Sequence, residues 1–306
     1  MTRKLLIIGG SYFAGRVFNI LCSREEGFEN HVVNRGSRPL GSLPHIREYR
    51  CDRHNIQELV TLLPDIEFDA VIDFCAYDRN DILALEEALK SRIHQYVYIS
   101  TSSVYDPAIS WPKTEEDRVL FSIGDGELDR YIAGKAALEE ECRAGLEKYG
   151  IPFTIFRPAF LYGPYNYAPR ENWFIRKIVE GEPVPVPRDC NSRFSFLYVR
   201  DLARALQLCV GNPQARNQYF NVAGPEEITY DSFIFTLRQV SGIPFEVKPY
   251  TIREILEENI PLPFPLENND LCDGRKAAAA LGLSYTPFQE GMLKTWNAFR
   301  KVFQKE

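Results

Sequence analysis

Apolar and polar positions change their period repeatedly along the first half of the chain, and each change marks an element. LLII (5–8) is apolar at consecutive positions, as in a strand buried on both faces. The segment after it puts Phe13, Val17, Ile20 and Leu21 on one helical face. HVVN (31–34) and REYR (47–50) are short strand candidates, IQELVTLL (56–63) is a helix and DAVIDF (69–74) a strand. DILALEEALK (81–90) is a helix, QYVYIS (95–100) a strand, and a longer helix over 128–148 precedes a strand at FTIF (153–156). Strands separated by helices predict an α/β fold, a doubly wound parallel sheet of Rossmann type.

Beyond Arg157 the pattern changes. RPAFLYGPYNYAP and EGEPVPVPRD are dense in Pro and Tyr, helical segments fall at 171–180, 199–210 and 230–241, and the regular alternation stops. This predicts a second, smaller C-terminal substrate domain. The strand QYFNVA (218–223) is expected to return to the first sheet. The division expected is 1–162 with 197–224 for the dinucleotide-binding domain, and 163–196 with 225–306 for the substrate domain. KAAAALG (276–282) is a short alanine-rich helix.

Composition narrows the function classes. The 306 residues carry 36 Lys plus Arg against 42 Asp plus Glu, a net charge of −6 that provides no general pull toward phosphate backbones or anionic lipid. The seven cysteines are scattered and never spaced C-x-x-C, so neither a disulfide framework nor a zinc knuckle is expected, and a reducing cytoplasm fits. The first strand starts too early for a signal peptide, and no apolar run approaches a membrane span of about 18 residues. Four histidines without ligand spacing predict no metal. The serines lack a G-x-S-x-G elbow.

Four stretches carry candidate chemistry. GGSYFAG (9–15) follows the first strand and opens a helix, as a pyrophosphate-gripping turn does, with Gly9 and Gly15 as its outer glycines. Tyr12 stands where the middle glycine belongs, which keeps an ordinary two-glycine turn as the competing reading. At the end of the second strand Asn34 and Arg35, with Arg38 close behind, replace the acid that holds the ribose of NAD and favour the extra phosphate of NADP. YIAGK places Tyr131 and Lys135 at i and i+4, where an ammonium can lower a phenol toward use as a base. With 16 tyrosines about one such spacing arises by chance, so its position after the fifth strand gives it weight. Upstream, YISTSSVY ends that strand in the hydroxyls Thr101, Ser102 and Ser103, which either hold a substrate oxygen or simply form a turn.

Strand, glycine turn, hydroxyl cluster and Tyr-x-x-x-Lys in this order resemble the extended short-chain dehydrogenase/reductases, the NAD-dependent epimerase/dehydratase family. RPAFLYGP (157–164), FLYVRDLARAL (196–206), YFNVAGPEEITY (219–230) and RKAAAALGLSYTPFQEGMLKT (275–295) extend the resemblance over nearly the whole chain. The unusual turn and YNYAPRENWFIRKIVEGEPVPVP look most like the branch that includes the chloroplast stem-loop-binding proteins, members of which have been associated with RNA.

The resemblance implies Tyr131 as catalytic base, Lys135 as its activator and ribose anchor, and Thr101 as the hydroxyl orienting the reacting oxygen. Gly9, Ser11, Tyr12, Phe13 and Gly15 would form the phosphate turn, with Asn34 and Arg35 at the adenosine ribose and Asp52 and Arg53 facing adenine. Ala76 and Tyr77 would border the cofactor, and Ser102, Asn166 and Arg193 would meet substrate. Sugar 4,6-dehydratases carry a carboxylate pair where Ser102 and Ser103 stand, so dehydration is not expected. The implied activity is an NAD(P)-dependent oxidoreductase or epimerase, leaning to NADP, acting on a nucleotide-sugar-like alcohol. The rivals are an RNA-binding protein, which the net charge disfavours, and an NADPH sensor without turnover. A cytoplasmic homodimer joined through helices of the larger lobe is expected.

Overall fold

The computed structural model describes residues 2–304 apart from 108, 110, 121–123 and 125. The larger lobe runs β1 (Arg3–Ile8), α1 (Phe13–Cys22), β2 (Phe28–Asn34), β3 (Ile46–Arg50), α2 (Ile56–Leu62), β4 (Ala70–Asp73), α3 (Asp81–Leu89), β5 (Tyr96–Ile99), α4 (Glu127–Tyr149) and β6 (Phe153–Pro158). Then follow β7 (Phe160–Tyr162), α5 (Glu171–Glu180), β8 (Val184–Pro187), β9 (Phe194–Tyr198), α6 (Val199–Cys209) and β10 (Gln218–Val222). The chain closes with β11 (Glu227–Ile228), α7 (Tyr230–Ser241), β12 (Val247–Tyr250), α8 (Ile252–Glu257), α9 (Arg275–Leu281) and α10 (Phe288–Phe303).

Seven strands form one parallel sheet in the order β3-β2-β1-β4-β5-β6-β10. The strand order reverses between β1 and β4, and ligands of open α/β sheets bind outside the carboxyl ends of the strands at that switch point. The doubled burial explains the unbroken LLII run. Leu5 and Ile7 join the core on the α1 and α6 side, while Leu6 and Ile8 join the core beneath α2, α3 and α4. Among the described residues no helix is long and apolar enough to cross a membrane.

The smaller lobe has a three-stranded sheet, β7-β9-β11, and a two-stranded one, β8-β12. Its core is aromatic: Phe264 lies 4.9 Å from Phe196 and 5.1 Å from Phe194, ring centre to ring centre. One segment of the C-terminal part packs on the large sheet. Ala277, Leu281 and Leu283, assigned by sequence to the substrate domain, pack into the core of the large sheet with Phe220 and Leu206. The alanine-rich helix α9 thus covers β10 and α6, because its small side chains let it lie close. Strands β7, β8, β9, β11 and β12 escaped the sequence reading, because beyond Arg157 no alternation with helical segments marks them.

One buried carboxyl in this scaffold has a measurable consequence. Glu86 of α3 is fully buried against Gly145 of α4, where an added Cβ would collide with Oε2, and neither carboxyl oxygen finds a hydrogen-bond partner among the described residues. Burial, with the nearby Glu141 adding to it, pushes the carboxyl up to about 8. The folded state therefore holds a proton that the unfolded chain releases at ordinary carboxylate pH, so stability falls as pH rises between those values and is flat above them. Glu86→Gln is expected to remove this fall, gaining about 2 kcal/mol more at pH about 8 than at pH about 5.5 in urea denaturation. An unchanged pH dependence in the variant would contradict it.

Candidate active site

A cavity of about 720 Å³ opens at the carboxyl ends of β1, β4 and β5, at the strand-order reversal. Its floor is the glycine turn. Gly9 (φ 84°) and Gly10 (φ 77°) take left-handed conformations that turn the chain sharply out of β1. A Cβ on Gly15 would fall on Gly10 Cα, so only glycine lets α1 pack this closely on the turn. Asn19 braces the turn from below, donating to Gly10 O (2.9 Å) and Gly15 O (3.0 Å). The N-terminus of α1 has no acidic residue in its first turn and no side-chain cap, leaving a positive dipole end that suits an anion. Ser11 and Tyr12 line the cavity beside it, and Phe13 contributes to the lining while its ring is buried.

Tyr12 accommodates the missing glycine by turning its ring outward. It stands in extended conformation at the cap of α1, stacks on Tyr167 (centroids 4.3 Å apart, planes at 26°), and carries the Arg38 guanidinium 4.2 Å from its centre. At the end of β2, Asn34 Oδ1 accepts from Gly36 N (2.7 Å) while its amide donates to Glu48. Arg35 and Arg38 line the cavity, and among the described residues neither has a carboxylate partner within ion-pair distance.

At the adenine end the expectation divides. Asp52 is exposed and lines the cavity; the His54 backbone N–H, the largest influence, and the His54 side chain hold its carboxyl below the usual range. Arg53 also lines the cavity, but its guanidinium is engaged inward. It donates to both Asp73 oxygens (2.9 Å each) and to Asp81 O (2.8 Å), and Asp73, fully buried, accepts from Tyr96 Oη (2.7 Å) and Cys75 N (2.9 Å). Its guanidinium is thus engaged as a brace beneath the site. His54, Asp78 and Asp81 bring possible ligand atoms within 4.8 Å, a cluster the sequence did not reveal. Asp81 there accepts from Tyr77 N and Asp78 N and lies 3.5 Å from Arg53, which accounts for it as an ion-paired helix start.

Thr101, Ser102, Tyr77, Tyr131 and Lys135 line the same cavity. Thr101 caps a short turn by accepting from Ser103 N (3.2 Å). Lys135 is buried, and its ammonium donates to Ala76 O (3.1 Å) and Ile99 O (3.0 Å), tying the ends of β4 and β5 together. Burial lowers it to about 8. Ala76 itself is fully buried and does not line the cavity; it contributes the carbonyl behind it. The expected depression of the Tyr131 phenol by Lys135 is absent. Burial pushes Tyr131 up, the Lys135 ammonium is 5.9 Å from its ring centre and bonded elsewhere, and the cation that pulls the other way is Arg170. No spacing in the sequence pointed to Arg170, which reaches the cavity from the loop before α5.

Of the three residues expected to meet substrate, Ser102 and Asn166 line the cavity and Arg193 does not. Arg193 lies outside the cavity, largely exposed and paired with Glu227 (2.8 Å). Asn166 lines the cavity, but its amide donates to Glu171 (2.8 and 3.0 Å) and its oxygen accepts from Ala168 N, so the side chain anchors the 163–170 loop. Glu171 also accepts from Gly163 N (2.9 Å), and burial raises it to about 7.

The chain is 29% identical over 255 residues to the chloroplast stem-loop binding protein of 41 kDa b of Arabidopsis thaliana, spanning 79% of this chain and 64% of that protein, less than two thirds of its length. It is 26% identical to a dTDP-glucose 4,6-dehydratase of Streptomyces niveus over 74% of each. Among solved structures, UDP-N-acetylglucosamine 4-epimerase of Methanobrevibacter ruminantium superposes with a TM-score of 0.80 at 18% identity, covering 98% of this chain and 99% of that one. UDP-glucuronic acid 4-epimerase of Bacillus cereus, solved with UDP-glucuronic acid and NAD, gives 0.78 at 19% over the same shares. The family model matches residues 5–223, from within the opening strand through the returning strand β10, and the chain belongs to the NAD dependent epimerase/dehydratase family.

Proposed function

We propose that the chain is an NAD(P)-dependent oxidoreductase or epimerase acting on the alcohol of a nucleotide-sugar-like substrate. The observation that carries this reading is the meeting of Thr101, Tyr131 and Lys135 with the glycine turn in one cavity. The turn suits a dinucleotide: two left-handed glycines, a third packed on them, and a helix N-terminus without acidic residues. Gly9, Ser11, Phe13 and Gly15 would hold the pyrophosphate, Asn34, Arg35 and Asp52 the adenosine, and Tyr77 and Lys135 the nicotinamide end. A bound dinucleotide supplies the hydride acceptor and donor.

Tyr131 removes the proton of the substrate hydroxyl as its carbon is oxidised, and Thr101 holds the same oxygen in place. Lys135 keeps a positive charge beside three aromatic rings, with Tyr77 nearest at 4.6 Å, and fixes the strand ends that frame the site. Return of hydride to the other face gives an epimer, and release of the ketone gives a dehydrogenase or, in reverse, a reductase. Loss of water is disfavoured because Ser102 and Ser103 offer no carboxylate to move the proton. The sugar nucleotide class rests on the names of the epimerases and dehydratases that the chain resembles.

The leaning toward NADP rests on Arg35 and Arg38, two guanidinium groups beside β2 without a carboxylate partner there. Arg35→Asp is expected to weaken NADP binding by tenfold or more, on the order of one lost charged contact, and to favour NAD. Titration of both dinucleotides checks it; a wild type that already prefers NAD contradicts it.

A second reading, an RNA-binding role for the same cleft, is favoured by its rim. Tyr12, Tyr77, Tyr131 and Tyr167 are exposed there beside Arg35 and Arg38, a combination on which unpaired bases can stack, and one relative is named for stem-loop binding. It parts from the first reading in needing no dinucleotide.

A further inference from the structure

We propose that Tyr12 and Tyr167 form an aromatic clasp across the mouth of the cavity that opens to admit a dinucleotide and closes to retain it. The inference rests on the dinucleotide reading above and adds to it the step that controls exchange.

The glycine turn is gripped by the smaller lobe from two sides. Inward, Phe13 is buried in the aromatic core of that lobe with Tyr162, Phe174 and Phe196, and takes φ 31°, a left-handed value that a bulky residue holds only when its surroundings enforce it. Outward, the Tyr12 ring stacks on Tyr167, whose edge also meets Phe13 at 6.3 Å. Arg16, in the first turn of α1, donates to Ser11 O (3.1 Å) and to Pro39 O (2.7 Å) and lies 5.7 Å from the Tyr165 ring centre. The turn and the 163–170 loop are therefore joined residue by residue.

The two halves of that loop differ in rigidity. Its base is fixed by the buried Glu171, which accepts from Gly163 N and Asn166, and by Asn172, which donates to Asn166 O (2.8 Å). Its tip is exposed: Tyr167 is 60% accessible, and its partner Tyr12 37%. Side-chain rotation can separate these rings without disturbing the buried base. Tyr12 occupies the position whose bare backbone would otherwise approach the pyrophosphate, so a dinucleotide entering or leaving this turn passes the clasp. One exposed stacked pair is worth about tenfold in a rate, and gating by such a contact acts on entry and exit together.

The test is a stopped-flow chase on the full chain. Wild type, Tyr12→Gly, Tyr167→Ala and Tyr167→Phe are loaded with NADPH, and its fluorescence is followed on mixing with excess NADP. Tyr12→Gly and Tyr167→Ala are expected to raise association and dissociation rates by about tenfold, with a smaller change in Kd, whereas Tyr167→Phe keeps the ring and the wild-type rates. Dissociation in Tyr167→Ala within about twofold of wild type would overturn the clasp and leave the dinucleotide reading standing. Binding by Tyr12→Gly but not by wild type would overturn the clasp, because the native rings would then block the dinucleotide instead of admitting it. Binding of neither NADPH nor NADH by any of the four would overturn both.

Discussion

Tyr131→Phe is expected to lower turnover by about 10²–10⁴-fold while dinucleotide binding survives, the range associated with removing one general base. The phenol lies on the cavity wall, half exposed, and its loss removes a single oxygen from a ring that packs tilted against Tyr77 at 6.5 Å. The fold has no reason to respond. The pH profile carries more information than the rate alone. Burial holds this phenol above its ordinary value, and Arg170 is the cation that opposes burial. A base of raised pKa is mostly protonated at neutral pH, so wild-type turnover should climb with pH on the alkaline side, and Arg170→Gln should move that limb further up. Steady-state rates on any substrate that wild type turns over, with Kd from titration, check both statements. Unchanged turnover in Tyr131→Phe would remove the residue from the chemistry.

The second large effect is expected from Arg53→Met, and it falls on stability. Arg53 neutralises Asp73, whose side chain is fully buried at the end of β4 and which also accepts from Tyr96 and Cys75. Removing the guanidinium leaves a buried acid without its cation, a change that costs about 3–5 kcal/mol. Urea denaturation should show this loss, and Arg53→Met combined with Asp73→Asn should recover part of it, because the second change removes the stranded charge. A single variant as stable as wild type would mean that Arg53 is free, as a cofactor-facing residue would be. The contrast matters for reading the family pattern. Asp52 keeps an exposed carboxylate at the expected place, while the neighbouring Arg53 turns its charge into the scaffold.

The sheet was legible because its apolar runs alternate with helical periods. β1, β4 and β5 read as apolar runs, and α5 and α7 begin and end where periodicity, caps and glycine place them, α7 between the Thr229 capping box and left-handed Gly242. The glycine turn was legible from glycines set between a strand and a helix, and the Tyr131–Lys135 pair from its place after the fifth strand, since its spacing alone arises about once by chance. What spacing could not show was how each charged group is employed. Lys135 sits four residues from Tyr131, yet its ammonium turns to the carbonyls of Ala76 and Ile99, because burial leaves three donors to satisfy. Asn166 lies in a loop that lines the cavity, but the buried Glu171, five residues on, engages its amide. Arg193 sits at the start of β9, and its position on the outer side follows from a strand pairing with β11 that two residues of sequence could not announce. Tyr12 was visible as a departure from the glycine pattern. Its partner Tyr167, more than 150 positions away, was not.

The claim on which the rest depends is that this cleft seats a pyridine dinucleotide despite Tyr12. Isothermal titration of the full chain with NAD and NADP measures it directly. The account predicts saturable binding of one dinucleotide per chain, tighter for NADP, weakened when Gly15→Ala drives a Cβ into Gly10. Absence of binding of both dinucleotides to the wild-type chain would contradict it and leave the RNA-binding reading of the tyrosine rim.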